Sequence, residues 1–186
     1  MRLVHGRTDV EDLDAFLDEL GAIGEEFGCA VQAFDADYVV GREHLRAAVE
    51  RADRAFDRGE NVARDRAVEI LLYAAGRRQI NRALRMGVSE GEADVVVVVH
   101  SPAGDPEAER DAAEQVRGLL GSGAAPEGSA SPPSDAGVDP DPLAADRIDR
   151  EAVLAFFNVS EAELAATDAT LADLVRERVA LLDVEK

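Results

Sequence analysis

Apolar residues recur at three-and-four spacing over Leu13, Phe16, Leu17, Leu20 and Ile23, which predicts an amphipathic helix. Just ahead of it, Thr8 and Glu11 have the spacing of a capping box, in which hydroxyl and carboxylate satisfy each other's backbone N–H groups. Arg2–Val4 reads as a short strand. Cys29–Phe34 and Tyr38–Val40 are β-prone, with Asp35-Ala36-Asp37 as a bend between them. Leu45, Ala48, Val49, Ala52, Ala55 and Phe56 place a second amphipathic helix over Glu43–Arg58, closed by Gly59. A third helix is expected from Arg64 to Met86, with Val68, Leu71, Leu72, Ala75, Gln79, Ile80, Ala83 and Leu84 along one stripe and Gly87 as its stop. Ala93–His100 reads as a strand. Its five consecutive valines, Val95–Val99, leave no polar face, so it belongs at the centre of a sheet covered on both sides. Asp105 is placed to cap a helix that starts at Pro106, where the missing N–H costs nothing, and runs to Leu120.

Residues 121–142 are rich in Gly, Ser, Pro and Asp and nearly devoid of large apolar side chains, the composition of a disordered or mobile insertion. Order is expected to resume at Ile148. Asp149 caps a short helix through Phe157, Ser160 and Glu163 form a second capping box, and Thr167 or Asp168 opens a last helix ending near Leu182. The expected fold class is α+β (mixed α/β), a small β-sheet with helices packed on it. Residues 1–120 form the core, 121–142 the insertion, and 143–186 C-terminal helices packing on the same domain.

Composition changes the picture in one respect. The chain carries a formal charge of −19, and every basic residue except Lys186 is an arginine. Tryptophan is absent and aromatics make up 4%. An acidic, lysine-poor, alanine-rich chain suits molar intracellular salt, where the Debye length falls to roughly 3 Å and self-repulsion is screened. A GC-rich genome favours the same alanine and arginine, so composition leaves both origins open. No apolar run reaches membrane-spanning length and no signal peptide is evident, so a cytoplasmic protein with no membrane partner is expected. Cys29 is the only cysteine and reads as a small buried residue beside Val31.

Nothing assembles into a catalytic constellation. His5, His44 and His100 lack metal-type spacing, and His44, just after a helix start, reads as a surface or interface histidine. There is no phosphate-binding glycine loop, and Gly-Ser pairs fall only within 121–142, without the strand–turn–helix context of a nucleophile. Pairing arguments fail among 39 carboxylates. No enzyme activity, metal or cofactor is expected.

Charge reverses in one place. Arg42 to Arg85 holds eleven arginines against seven acids, and from Gly76 to Gly87 there are four arginines and no acid. On a continuous helix Arg78, Arg82 and Arg85 share a face, with Arg77 beside them and Asn81 on the flank. Arg46, Arg51, Arg54 and Arg58 have Glu50, Asp53 and Asp57 at pairing distance, whereas Arg78, Arg82 and Arg85 have no local carboxylate. A cluster of like charge kept in so acidic a chain favours an anionic partner, nucleic-acid phosphate first. At molar salt such contact depends on short-range bidentate and stacking interactions, which suit arginine.

The same stretch resembles a known family. Glu69-Ile-Leu-Leu-Tyr-Ala-Ala-Gly-Arg-Arg-Gln-Ile80, with Ala83 and Gly87, is similar to the signature of the smallest regulatory subunit of the KEOPS complex, the PRPK-binding-protein-like type. Asp35-Ala36-Asp37, Val40-Gly41, Glu43-His44-Leu45, Ala48, Ala52, Ala55-Phe56, Gly59 and Asn61 fit before it. Val95–Val99, Phe156-Phe157-Asn158-Val159-Ser160, Glu163-Leu164 and Glu177–Leu182 fit after it. Residues 121–142 have no counterpart.

The resemblance implies a non-catalytic subunit in tRNA threonylcarbamoyladenosine synthesis. Such a subunit binds the KEOPS kinase subunit, meets the other subunits indirectly, and recruits tRNA through its single-stranded 3′ CCA end. It places Glu69, Leu72, Gly76, Arg78, Gln79 and Ile80 at the RNA, beside Arg77, Asn81, Arg82 and Arg85. Glu69 and Gln79 would read base edges or complete a buried network. Gly76, mid-helix at a cost of about 1 kcal/mol against alanine, would admit a nucleotide or a neighbouring helix. Among the C-terminal residues, Leu171 and Leu174 read as core, and Val175, Val179 and Leu182 as the kinase-facing surface.

Overall fold

The computed structural model describes residues 1–121 and 148–182. The expected insertion therefore lies, from residue 122 on, outside the described residues. Three strands, β1 (Arg2–Val10), β2 (Ala30–Asp35) and β3 (Gly91–His100), form an antiparallel sheet in the order β1-β3-β2. The valine strand is thus central. Its alternation divides the core in two: Val96 and Val98 face one cluster, and Val95, Val97 and Val99 the other. Helices α1 (Leu13–Phe27) and α5 (Pro106–Leu119) cover the second face through Phe16, Leu20, Ile23, Ala112, Ala113 and Val116. Gly6 on β1 makes room there, since a Cβ would meet Leu120 at 3.1 Å.

The first face carries α2 (Arg42–Arg58), α3 (Arg66–Ala74) and the C-terminal helices α6 (Arg150–Phe157) and α8 (Leu171–Leu181). Val153, Phe156, Phe157, Leu171, Leu174 and Val175 join the same apolar cluster as Leu45, Ile70 and Leu72. Two short helical segments, α4 (Ile80–Ala83) and α7 (Glu161–Ala165), complete the described residues. The architecture is α+β, as the hydrophobic pattern predicts.

Several local expectations fail for tertiary reasons. Thr8 and Glu11 do not cap a helix, because β1 continues to Val10 in register with Gly91. The ladder wins over the local hydroxyl–carboxylate pair, and Asp12 caps α1 instead by accepting from the Ala15 N–H at 3.0 Å. The chain does bend after Asp35, in a 3-10 turn over Ala36–Tyr38, but the β-prone Tyr38–Val40 forms no strand. Ser160 does accept from the Glu163 N–H, but the Glu163 carboxylate is drawn away to Arg178 at 2.7 Å. The last helix begins later than Thr167 or Asp168, at the capping box of Thr170 and Asp173. The α2 arginines also pair differently. Arg46 meets Glu43 rather than Glu50, and Asp53 is held by Arg66 and by His100 Nε2, the latter at 2.8 Å.

Candidate functional site

The stretch expected as one helix from Arg64 to Met86 is broken in the middle. Asp65 caps α3 by accepting from the Val68 N–H, and the apolar residues Ile70 to Ala75 carry α3 into the core. Gly76 then takes a left-handed conformation, φ +58°. Its N–H donates to the Tyr73 carbonyl at 2.9 Å, and the Arg77 N–H reaches back to Leu72 at 3.0 Å. That pair of bonds closes a helix C-terminus around a glycine. Gly76 is therefore a stop rather than a mid-helix residue, and the backbone of Arg178 on α8 lies 3.6 Å from where its Cβ would be.

The chain re-enters helix at Ile80 for one turn and finishes in a 3-10 turn at Leu84–Met86. Arg78 consequently sits in the connecting turn, and Arg78, Arg82 and Arg85 do not share one face of a continuous helix. The four arginines are instead sorted by their partners. Arg77 donates to the Phe156 carbonyl and lies 5.7 Å from the centroid of the Phe156 ring, with Arg85 at 6.0 Å from the same ring. Arg78 donates to the Leu182 carbonyl at 2.6 Å, with its Nε buried and without a hydrogen-bond partner among the described residues. Both acceptors lie at helix C-termini, where carbonyls lack intrahelical donors and attract cations. Arg82 is exposed and makes no side-chain hydrogen bond or ion pair among the described residues.

Val62, Arg78, Gln79, Ile80, Asn81 and Arg82 line an open groove of about 520 Å³. Ile80 is 43% exposed, Leu84 one turn on is 53% exposed, and Val62, from a separate segment of chain, is 48% exposed. Val62, Ile80 and Leu84 are three of the five large apolar side chains left exposed among the described residues, and two of them, Val62 and Ile80, line this groove beside its arginines. Five of the expected contact residues, Arg78 to Arg82, thus meet at one groove, and Arg77 and Arg85 flank it on Phe156.

Glu69 and Leu72 are not at that surface. Leu72 is buried in the core, and Glu69 is 2% exposed, its Oε2 accepting from the N–H groups of Val62 at 3.0 Å and Ala63 at 2.7 Å. Glu69 completes a buried network and cannot read a base edge from there. Val62 is the groove residue that sequence reasoning missed. A lone valine in a short loop carries no periodic signal, and only its place in the same groove as Ile80 gives it meaning.

Val175, Val179 and Leu182 are likewise buried, in the chain's own core, because α8 packs against α2. Their side chains are not accessible to a kinase, so the three residues expected there are corrected to core residues. His44 is corrected too. It is 1% exposed, its ring meets Phe157 edge-on at 5.7 Å, and its Nε2 lies 2.8 Å from the Ala74 carbonyl, in the last turn of α3 before Gly76. Burial lowers its pKa from 6.5 to about 4, with the Ala74 carbonyl opposing. The ring is therefore neutral near pH 7 and donates through Nε2–H to the helix end that sets the turn.

No group of three or more His, Cys, Asp or Glu among the described residues could hold a metal ion. No helix among them is long and apolar enough to cross a membrane. A family model described as kinase binding protein CGI-121 matches residues 8–183, and the chain belongs to that family. No curated protein matches the chain. Family membership gives it a kinase-binding accessory role.

Proposed function

We propose, with CGI-121 membership as the premise, that this chain is the non-catalytic accessory subunit of the KEOPS complex. In this reading it binds the kinase subunit and recruits tRNA to threonylcarbamoyladenosine synthesis through the single-stranded 3′ CCA end. The observation that carries the RNA part is the groove of Arg78 to Arg82 with Val62. It joins guanidinium groups suited to phosphate with exposed aliphatic surface suited to a splayed-out base. A duplex hides its base faces and would leave Ile80 and Val62 without a ligand, whereas a single-stranded end presents both phosphate and base.

The test is binding of tRNA, with and without its 3′ CCA tail, to the full chain in high salt. Arg82→Glu is the clean variant, because Arg82 makes no side-chain hydrogen bond or ion pair among the described residues. Loss of binding both in this variant and on removing the tail supports the proposal. Unchanged binding in both arms overturns it.

A second reading has an observation of its own. Arg77 and Arg78 already donate to the carbonyls of Phe156 and Leu182, as expected of a purely kinase-binding scaffold whose arginines serve its own fold. In that case the chain binds neither RNA while still capturing the kinase subunit. The acidic, lysine-poor composition fits function in molar salt, where direct contact outlasts diffuse attraction.

A further inference from the structure

Two segments of chain line the groove, and the helix signature from Glu69 to Ile80 accounts for only one of them. The second is the loop Asn61-Val62-Ala63, which is held in an unusual way. Its two successive N–H groups, of Val62 and Ala63, converge on one oxygen of the buried Glu69 carboxylate at 3.0 and 2.7 Å. The Asn61 Nδ2 closes the loop from the other side by donating to the Ala63 carbonyl at 2.8 Å. Ala63 is pulled into the core at 5% exposure, which leaves the Val62 side chain turned outward at 48%. A carboxylate buried this deeply is costly unless its oxygens accept hydrogen bonds, so the fold invests a buried acid in fixing three residues of loop.

We infer that Val62 is a base-contacting residue of the RNA groove and that Glu69 is the residue that positions it. This rests on the RNA-binding reading proposed above. The occupant follows from what lines the groove. Arg78 and Arg82 call for an anionic backbone, whereas Val62 and Ile80 offer apolar surface to a flat, uncharged face, and a nucleotide of single-stranded RNA presents the two together. Among the described residues no aromatic ring lines the groove, so the base packs against aliphatic side chains, with guanidinium groups beside it.

The experiment uses the full chain and two RNAs, an intact tRNA and the same tRNA with abasic sugars in its single-stranded 3′ end. Val62→Ser should weaken binding of intact tRNA about five-fold, the share of a half-exposed valine that a base can still cover. It should leave binding of the abasic RNA unchanged. Glu69→Ala should weaken intact tRNA to the same degree, and adding it to Val62→Ser should weaken binding no further, because both act through one contact. Glu69→Gln, which keeps a carbonyl acceptor for both N–H groups, should restore binding.

If Val62→Ser binds both RNAs as the parent does while Arg82→Glu loses binding, the inference is overturned and the RNA-binding reading stands. If Arg82→Glu also binds normally, the RNA-binding reading itself fails. Should Glu69→Ala fail to fold, the contrast between intact and abasic RNA for the surface variant Val62→Ser decides the base contact, and Glu69→Met, similar in volume but without an oxygen acceptor for the two N–H groups, compared with Glu69→Gln decides the positioning.

Discussion

Replacing His44 by glutamine should remove one component of the protein's acid sensitivity. The ring is buried, its pKa is lowered to about 4 by desolvation, and its Nδ1 has no hydrogen-bond partner among the described residues. In the unfolded chain the same group titrates near 6.5. Above pH 6.5 it is neutral in both states and stability does not depend on it. As pH falls from 6.5 to about 4 the unfolded chain takes up a proton that the folded chain refuses, so stability is lost across that window and levels off below it. At ~1.4 kcal/mol per pH unit the whole interval is worth roughly 3 kcal/mol. Glutamine can still donate to the Ala74 carbonyl but does not titrate. Denaturant unfolding of parent and His44→Gln at pH 7, 6, 5 and 4 in constant high salt isolates the effect, because the shared carboxylates cancel in the difference. The parent should lose roughly 3 kcal/mol more than the variant between pH 7 and pH 4. Parallel curves would mean that a protonated His44 is accommodated without cost and that the burial argument is wrong.

Three further outcomes follow from the same geometry. Gly76→Ala should cost about 1–2 kcal/mol in denaturant unfolding; space is adequate around its Cβ, so the penalty is that of a left-handed backbone. Arg78→Ala should destabilise by about 1–2 kcal/mol because the Leu182 carbonyl loses its donor, while Arg82→Ala should lie within about 0.5 kcal/mol of the parent; equal effects would contradict the sorting of the two arginines. Lowering KCl from about 2 M to about 0.1 M should lower the melting temperature, since −19 of formal charge is then unscreened; a salt-independent Tm would refute the self-repulsion argument.

The sheet's central strand, the α2 helix with Gly59, and the Asp105–Pro106 and Asp149 helix starts were legible because one local signal dominated each. The α3–α4 region was not. The stripe from Val68 to Leu84 keeps a helical period across Gly76, so periodicity sees one helix where the backbone makes two. The break needs Arg178 and the carbonyls of Phe156 and Leu182, residues from 79 to 104 positions away along the chain. Arg78 to Arg82, picked out by charge and resemblance, do line one groove together. Glu69 and Leu72 fell on the wrong side of the surface because a motif does not state which way a side chain points. Val175, Val179 and Leu182 failed likewise, since apolar spacing on a helix cannot tell a chain's own core from a partner's.

The run of five valines in β3 has one more consequence. A strand with alternating polar and apolar faces resists slipping by one residue, because a slip would turn every side chain to the wrong side. From Val95 to Val99 a slip exchanges valine for valine, and both faces remain apolar. The middle of the strand is therefore blind to its own alignment, and the alignment must be written at its ends. At one end His100 is fastened to Asp53 of α2 at 2.8 Å. At the other, Gly91 turns in at φ +105° opposite Val10. Loosening the His100 clasp would make the sheet prone to mispairing during folding while removing little of its buried surface, a defect of accuracy rather than of strength.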